Sequence, residues 1–377
     1  MSRFASSLAV IDLNAYAQNL SVIRECLPVT CRMAPVVKAD AYGHGAAPVA
    51  RCALRSGASM LAVATVGEGV ELRITGITAP ILVLVQPAPD LLAAAVEHDL
   101  RITVSDVATA RRLGSLAGRS NRTAVVHCKI DTGMGRQGLA FDSAAAAIGE
   151  IASIPRVIVE GIATHFPVAD DPEDMFTAHQ IRRFRELLQN LAARGIAYGW
   201  AHAANSAAIV HFPDAAFDMV RPGLMTYGVW PGGASELEKK LRPVLRWETR
   251  VVSVRELSRG ATVGYGRTYT APASMRAAVL PVGYADGYKF ALSNRGEVLI
   301  HGRRCPVLGR VSMDQIVVDV SRTAGVAPGD TATLIGADGT EAVSVSELAR
   351  LAGTIPYDIL TGIGRRVARV YVGGEQE

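Results

Sequence analysis

Residues 33–64, MAPVVKADAYGHGAAPVARCALRSGASMLAVA, contain a strand-like run, a helical stretch and a second strand-like run. The runs 33–38 and 60–64 are almost wholly apolar, as is typical of parallel strands that are buried on both faces. Between them, Pro48 is placed to open a helix and Gly57 to close it. The stretch therefore predicts one β-α-β unit of a parallel sheet.

The same alternation continues along the chain. Six further apolar runs lie at 81–85, 101–104, 124–130, 157–165, 196–202 and 217–221. Helices are predicted after Asp12, after Ser105 and between Pro172 and Gly195. Eight runs of this kind predict an α/β fold with an N-terminal (β/α)8 TIM barrel. The eighth run has a competitor, because LMTYGVW (224–230) also fits a strand.

Beyond residue 235 the sequence is rich in short β runs separated by Gly, Pro and Asp turns. Helical periodicity returns only in VSELARLAG (345–353). We therefore predict two domains: a barrel over 1–235 and a C-terminal, mostly β domain over 236–377. PGGASELEKK (231–240) is the predicted linker.

Composition excludes several classes of protein. The 377 residues are 49% hydrophobic and 20% charged, which argues against disorder. The net charge of +4 is dispersed, so no nucleic-acid partner is predicted. No apolar run is long enough to span a bilayer, and the first residues are a poor signal peptide. Five cysteines without CxxC spacing indicate reduced thiols, a cytoplasmic location and no metal site.

Lys38 closes a buried apolar strand, which is unusual for a lysine. Burial lowers the pKa of an ammonium group, and only the neutral amine attacks a carbonyl to form a Schiff base. A solvated lysine just past the strand is the simpler alternative. In a barrel, chemistry gathers where the strands end, so Lys38 is the first candidate.

Two later loops indicate a phosphorylated ligand. AANSAA (203–208) and RPGLMTYG (221–228) follow the seventh and eighth runs, where barrels often bind phosphate. Asn205 and Ser206 can cap a helix, and Gly223 lets the backbone approach an anion closely. Either segment alone would be an ordinary loop.

Further candidates lie in KIDTGMGRQG (129–138), which holds Lys129, Asp131 and Arg136, and at His165. A solvated loop and a core histidine are the alternatives here. Tyr265 in VGYGRTYT (263–270) could equally be a hairpin aromatic, and Met313 in GRVSMDQ (309–315) a packing residue.

Together these segments resemble the bacterial alanine racemase family, which uses pyridoxal 5'-phosphate (PLP). The resemblance runs from VIDLNA (10–15) to IPYDILTGIGRRVARVY (355–371), and its motifs keep the family's order. VVKADAYGHG is the most specific of them. The others are KIDTGMGRQG, HAANSAA, MVRPGLMTYG, GYGRTYTA, LPVGYADG and GRVSMDQ.

The resemblance implies roles for individual residues. Lys38 would bond to PLP and act as base on one face of the substrate, and Tyr265 of the partner subunit would be the base on the other face of a shared site in a homodimer. Five residues match positions that bind the phosphate: Tyr42, Ser206, Gly223, Leu224 and Tyr357. Arg221 matches the residue that hydrogen-bonds the pyridine nitrogen, and His165 would join a chain from Arg221 toward Tyr265.

Three further matches concern the substrate side of the site. Arg136 matches a contact to the cofactor's phenolic oxygen and the substrate, and Met313 one to the substrate carboxylate. Lys129 matches a lysine that is often carbamylated.

The implied reaction is the interconversion of L- and D-alanine, a small-molecule substrate. Arg221 cannot accept a proton, so we expect it to leave the pyridine nitrogen unprotonated and to suppress transamination. Tyr265, Tyr284 and Tyr357 match a narrow entrance that favours a small side chain. One departure is FPVADDPED (166–174), where Pro167 stiffens a loop that the family builds from small residues.

Several alternatives stay open from sequence alone. A broader-specificity or serine racemase and a decarboxylase share this architecture. A non-catalytic PLP carrier would resemble only the barrel, and a sugar-phosphate enzyme would use no PLP. Whether D-alanine is made for the cell wall or consumed is also left open.

Overall fold

The computed structural model describes residues 5–232 and 236–374, which form two compact units. The barrel unit comprises Tyr16–Ala41 and Ala46–Leu241. The strand-rich unit comprises 5–15, Tyr42–Gly45 and 242–374 within the described chain. The predicted boundary between 235 and 236 adjoins 233–235, which lie outside the described residues, so it stays a prediction.

Eight parallel strands build the barrel unit in the described chain. They are Arg32–Met33, Leu61–Val63, Ile81–Val83, Arg101–Val104, Ala124–Asp131, Val157–Ala163, Trp200–His202 and Met219–Val220. The last strand pairs with the first, and a bridge between Val36 and Ala62 joins the first to the second. The ring is therefore closed, and the predicted TIM barrel is confirmed.

The barrel strands are apolar because both of their faces are buried. Leu61–Val63 and Ile81–Val83 are fully inaccessible to solvent. Inside the ring, Ala34, Met60, Leu82 and Met219 from different strands form one packed cluster. This packing on two faces explains why unbroken apolar runs located the strands.

Helices follow the barrel strands as predicted, with small shifts at their ends. They are Ala46–Arg55, Val66–Ile74, Leu92–Glu97, Val107–Arg119, Phe141–Ala152, Phe176–Ala193 and Ser206–His211. Asp106, one residue after Ser105, is the cap of its helix and accepts the Thr109 N–H at 2.6 Å. The competing strand at 224–230 is wrong: Leu224–Tyr227 is a 3-10 turn whose Tyr227 hydroxyl donates to the Val36 carbonyl.

The strand-rich unit is mostly β, as predicted. Its strands are Ser7–Asp12, Leu245–Arg250, Ser253–Leu257, Thr262–Val263, Tyr269–Thr270, Met275–Leu280, Glu297–Ile300, Arg303–Pro306, Ile316–Asp319, Thr331–Asp338, Glu341–Val343 and Ala368–Val372. Ser7–Asp12 lies between Leu245–Arg250 and Ala368–Val372. Its alternating burial suits a sheet with one covered face, whereas barrel strands are buried on both. After it, Asp12 caps the helix Leu13–Glu25, as predicted.

Two helices interrupt the strands of this unit. Val345–Ala352 was predicted, and its cap Ser344 accepts the Glu347 N–H. Pro356–Gly362 was not predicted, because seven residues are too few to display helical periodicity. This second helix carries Tyr357, so it supplies a candidate site residue.

Candidate active site

Basic side chains collect where the barrel strands end. Lys38 follows the first strand, Lys129 lies near the end of Ala124–Asp131, and His202 ends its strand. His165 and Arg221 come just after the strands Val157–Ala163 and Met219–Val220. Since parallel strands of a barrel end on one face, the sequence positions converge there.

The two lysines are electrostatically perturbed. Burial lowers the pKa of Lys38, and the Arg136 guanidinium lowers it further, while the Glu68 carboxylate acts in the opposite direction. Burial lowers the pKa of Lys129 to about 7, with Arg221 and Arg136 adding to the effect. Both amines are therefore easier to deprotonate than an ordinary lysine, which suits nucleophilic and base chemistry.

The chain turns with the left-handed sense directly after Lys38. Ala39, Asp40, Ala41 and Tyr42 have φ between 50 and 53°. Each such residue with a Cβ costs roughly 1–2 kcal/mol relative to the right-handed form. Strain of this kind persists only where surrounding contacts hold it, and it concentrates at functional sites.

Arg221 is buried, and its guanidinium is held on several sides. It donates to His202 Nδ1 at 2.6 Å, to the carbonyls of Thr164 and Ala203 at 2.9 Å, and to His165 Nδ1 at 3.3 Å. Burial lowers the pKa of Arg221 to about 10, which leaves it cationic at neutral pH. The group is thus a fixed positive charge that donates hydrogen bonds and accepts none.

A buried histidine chain supports this arginine. Because Arg221 donates to His202 Nδ1, the neutral ring carries its proton on Nε2, which lies 2.7 Å from His127 Nδ1. His127 in turn donates from Nε2 to Glu160 Oε2 at 3.0 Å. Burial lowers the pKa of both rings, so they stay neutral. Gly161 leaves room for His127, since a Cβ there would lie 2.2 Å from Nδ1.

His165 is anchored through its own backbone as well as its ring. Gln180 donates from Nε2 to the His165 carbonyl at 3.2 Å and to the Thr132 hydroxyl at 3.0 Å. Burial lowers the pKa of His165 well below its usual value, and Arg221 and Lys129 reinforce the effect. A neutral ring that accepts from Arg221 is the result.

The loop 129–138 folds back on its own strand. Asp131 accepts the N–H groups of Gly133 and Gly135 at 2.9 and 3.1 Å. Gly138 sits against the Asp131 backbone, where a Cβ would come within 2.5 Å of the amide nitrogen, and its φ is 143°. This fold presents Arg136, an exposed residue, at the mouth of the barrel near Lys38 and Lys129.

The predicted phosphate loops meet in the barrel unit. Asn205 caps Ser206–His211 by accepting the Ala208 N–H at 3.0 Å. The neighbouring Ser206 hydroxyl accepts the N–H groups of Gly223 and Met225 at 2.9 and 3.3 Å. The two loops thus bring the Ser206 hydroxyl together with the backbone amides of Gly223 and Met225. Ser206 and Leu224, which lies between those two amides in the chain, are buried.

In the strand-rich unit, Tyr42 and Tyr357 stack at 5.7 Å between ring centroids. Gly43 permits this approach, because a Cβ there would lie 2.5 Å from the Leu360 carbonyl oxygen. Arg369 donates to the Gly43 carbonyl at 3.0 Å. It also donates to the carbonyls of Ile363, Gly364 and Val367. The end of the left-handed turn is therefore anchored to the helix that carries Tyr357.

Tyr265 stands on a tight 3-10 turn and points outward. Gly264 and Gly266, on either side of it, have φ of 70 and 72°. The Tyr265 side chain is 73% exposed. Its phenol therefore does not enter the core of its own unit.

Tyr284 and Met313 lie on neighbouring loops of the same unit. The Tyr284 and Ala285 N–H groups each donate at 3.1 Å to the carbonyls of Ser312 and Met313. Gly283 allows this contact, because a Cβ would lie 2.2 Å from the Ser312 oxygen. The side chains of Tyr284 and Met313 remain exposed.

The structure brings together Lys38, Lys129, Arg136, His165 and Arg221 in the barrel unit, as their mutual electrostatic effects record. Sequence reasoning missed Glu68, His127, Glu160 and the role of His202. The available signal was a histidine inside the strand run 124–130, which is apolar except for His127 and Lys129. The described helices include none with the length and hydropathy needed to cross a membrane.

Two family descriptions match this chain. "Alanine racemase, N-terminal domain" matches residues 11–231, and "Alanine racemase, C-terminal domain" matches residues 244–371.

Individual relatives agree with these matches. The chain is 45% identical over 367 residues to the alanine racemase of Symbiobacterium thermophilum, which covers 97% of each chain. It superposes on the alanine racemase of Streptomyces coelicolor with a TM-score of 0.93 at 36% identity, covering 99% of this chain and 100% of that one. It also superposes on the alanine racemase of Bartonella henselae, which was solved with covalently bound pyridoxal phosphate. The TM-score is 0.88 at 27% identity, covering 98% of this chain and 100% of that one.

Proposed function

This chain belongs to the alanine racemase family and interconverts L- and D-alanine with PLP, and we propose that Lys38 and Tyr265 of the partner subunit are its two bases. The observation that carries the proposal is the half-buried lysine of lowered pKa that follows the first barrel strand, with the Arg136 cation acting on it. The relatives do not favour the serine racemase or decarboxylase alternatives.

The residues at the barrel mouth fit PLP. The cations of Arg221, Arg136 and Lys38 lower the pKa of Lys129, and the Arg136 cation lowers that of Lys38; the Asp131 carboxylate acts on Lys129 in the opposite direction. A ligand with a phosphate and a phenolic oxygen would neutralise this set. The amine of Lys38, with its lowered pKa, suits bonding to an aldehyde.

Each base serves one direction of the reaction. PLP, when bound, delocalises the negative charge left at the α-carbon after a proton departs. Lys38 takes the α-proton on one face and returns it there in the reverse direction, while Tyr265 does the same on the other face. The two groups must differ in position, since inversion requires removal and return on opposite faces.

Exposed side chains on the strand-rich unit support a homodimer. Tyr265, Tyr284, Phe290 and Met313 are all exposed, although they are large and apolar. Their loops are joined by hydrogen bonds, including those of Asn294 with Gly309. Tyr284 and Phe290 pack against each other with ring centroids 6.5 Å apart, and exposed aromatic and methionine side chains are typical of a protein interface, so this unit is suited to place Tyr265 at a neighbouring copy's site.

The remaining residues bind and orient. Ser206, Gly223 and Leu224 of the barrel unit would hold the phosphate, and Tyr42 and Tyr357 match further phosphate-binding positions of the family. Arg136 would donate to the phenolic oxygen of PLP. The Met313 backbone N–H would donate to the substrate carboxylate. Lys129 matches the family's lysine that is often carbamylated; burial lowers its pKa to about 7, so more of the amine is neutral and able to react with carbon dioxide, and the resulting anion would face Arg136.

The protein works in the cytoplasm. The support for this proposal is that none of its five cysteines, all among the described residues, forms a disulfide bond, as is typical of a reducing compartment.

Arg221 controls which product forms. With PLP bound, the guanidinium would donate to the pyridine nitrogen, and it would not give up the proton that would make this nitrogen a cation. The His202–His127–Glu160 chain keeps it in place. Charge at the α-carbon is then short-lived, and transamination is suppressed.

Replacing Arg221 with Glu tests this role. A carboxyl group can share a proton with the pyridine nitrogen, so we expect transamination relative to racemisation to rise about ten-fold or more. The measurement is formation of pyruvate and of the amine form of the cofactor. R221K, which keeps a cation, is the control. No rise in R221E would contradict the assignment.

The shared site is tested by mixing two inactive variants, K38A and Y265A. If Tyr265 serves the neighbouring subunit, random pairing makes half the dimers mixed, and each mixed dimer has one intact site. We expect about one quarter of wild-type racemisation of L-alanine, followed by circular dichroism, after unfolding and refolding the mixture. Separately refolded variants are the control. Mixed samples that stay inactive, while wild type refolds to full activity, would exclude the shared site.

A further inference from the structure

The turn after Lys38 needs an external restraint. Four successive residues that carry a Cβ, 39–42, are held in the left-handed region. Of these, only Asp40 is of a residue type that visits that conformation readily, so contacts from elsewhere must hold Ala39, Ala41 and Tyr42 in it. Within the turn, the Ala41 N–H donates to the Val37 carbonyl at 2.9 Å, and the Asp40 carboxylate accepts the Ala46 N–H at 2.7 Å.

Glu68 supplies the contact nearest to Lys38. Its Oε1 accepts the Ala39 N–H at 2.6 Å, from 29 residues away in the chain. Its Oε2 accepts the N–H groups of Ala64 and Thr65 at 2.7 and 3.0 Å. One carboxylate therefore ties the peptide after Lys38 to the end of the second barrel strand.

A helix cap alone does not explain this arrangement. Glu68 completes a capping box with Thr65, whose hydroxyl accepts the Glu68 N–H at 3.2 Å. That box requires only the bond to the Thr65 N–H. The bond to Ala39 is additional, and it uses the oxygen that the box leaves free.

Glu68 also brings charge to the lysine. The charged and titratable groups that act with Lys38 are Arg136, Lys129, His165 and Glu68. The first three are basic, and Glu68 alone among them is acidic. Its carboxylate thus offsets part of the cationic field at the amine.

We propose that Glu68 is a positioning residue for Lys38: by holding the Ala39 N–H it fixes the left-handed turn and hence the direction in which Lys38 leaves the strand. The inference rests on the proposed bond between Lys38 and PLP. If the turn is released, only part of the population presents the lysine correctly, and the apparent affinity for PLP falls by that fraction.

Three variants of the full chain separate the possible roles. E68D keeps the charge but is one methylene short of Ala39. E68Q keeps the length but loses the charge and cannot accept all three N–H groups. T65A is the matched control, because it removes the other half of the capping box and leaves Ala39 untouched. Each protein is freed of PLP and titrated with PLP across pH, and the absorbance of the Lys38 bond is followed.

We expect E68D and E68Q to weaken PLP binding about ten-fold or more, the loss typical of a charge-assisted hydrogen bond. In E68Q the pH midpoint for bond formation should also move down, because the anion that favours protonated Lys38 is gone; in E68D it should stay. T65A should change neither. Wild-type affinity in E68D, or equal weakening in T65A, would overturn the inference. If wild type forms no bond at Lys38, the proposed function itself fails. E68D decides the question should E68Q not fold.

Discussion

Y265A is expected to lose exchange of the α-proton from L-alanine far more than from D-alanine. Tyr265 is proposed as the base on the L face, and a positioned general base contributes about 10²–10⁴-fold. Lys38, which serves the D face, is untouched by the change. The α-proton of each enantiomer is followed by NMR in deuterated water, so that removal is measured without requiring a complete turnover.

The asymmetry is the informative quantity, since lower activity alone would also follow from a damaged interface. Y265F is the matched control, because it keeps the ring that packs in the exposed patch and removes only the phenol oxygen. We expect Y265F to reproduce the asymmetry of Y265A. Equal losses for the two enantiomers would remove Tyr265 from the two-base scheme.

K38A is expected to lose both the covalent bond to PLP and racemisation in both directions, by at least about 10³-fold. The lysine is proposed as both the attachment point and one base, so no direction is spared. In wild type, borohydride reduction should leave a PLP adduct on the peptide that contains Lys38. Because burial and Arg136 lower the pKa of Lys38, the bond should form at lower pH than with an ordinary lysine.

K129A is the control for this assignment. Lys129 lies in the same cluster and has a pKa of about 7, so it is the other candidate nucleophile. We expect K129A to retain the adduct on Lys38. An adduct found on Lys129 in wild type, or retained in K38A, would reassign the attachment point.

Much of the barrel could be predicted because its strands are buried on both faces. The runs at 81–85 and 101–104 became the strands Ile81–Val83 and Arg101–Val104. The ambiguity at 224–230 could not be resolved locally, since a buried 3-10 turn is as apolar as a strand. The Gly223 and Met225 N–H groups donate to the Ser206 hydroxyl, and the Tyr227 hydroxyl donates to the Val36 carbonyl; these bonds decide it.

The site was only partly visible in the sequence. Lys38, Arg136 and Arg221 stand out because charged residues beside buried strands are rare. Glu68 does not, because a glutamate three residues after a threonine is explained fully by a helix cap. Its second contact depends on Ala39, which is distant in the chain and has no distinguishing side chain.

The sequence by itself determined the eight buried runs of the barrel and the place of Lys38 after the first of them, because burial of apolar side chains acts on each run wherever its partners lie. Only the tertiary structure decided the left-handed turn after Lys38 and the histidine chain behind Arg221. Alanine and tyrosine do not prefer that turn, and contacts from Glu68 and Arg369 offset its cost. Such contacts join residues far apart in the chain, so no local pattern records them.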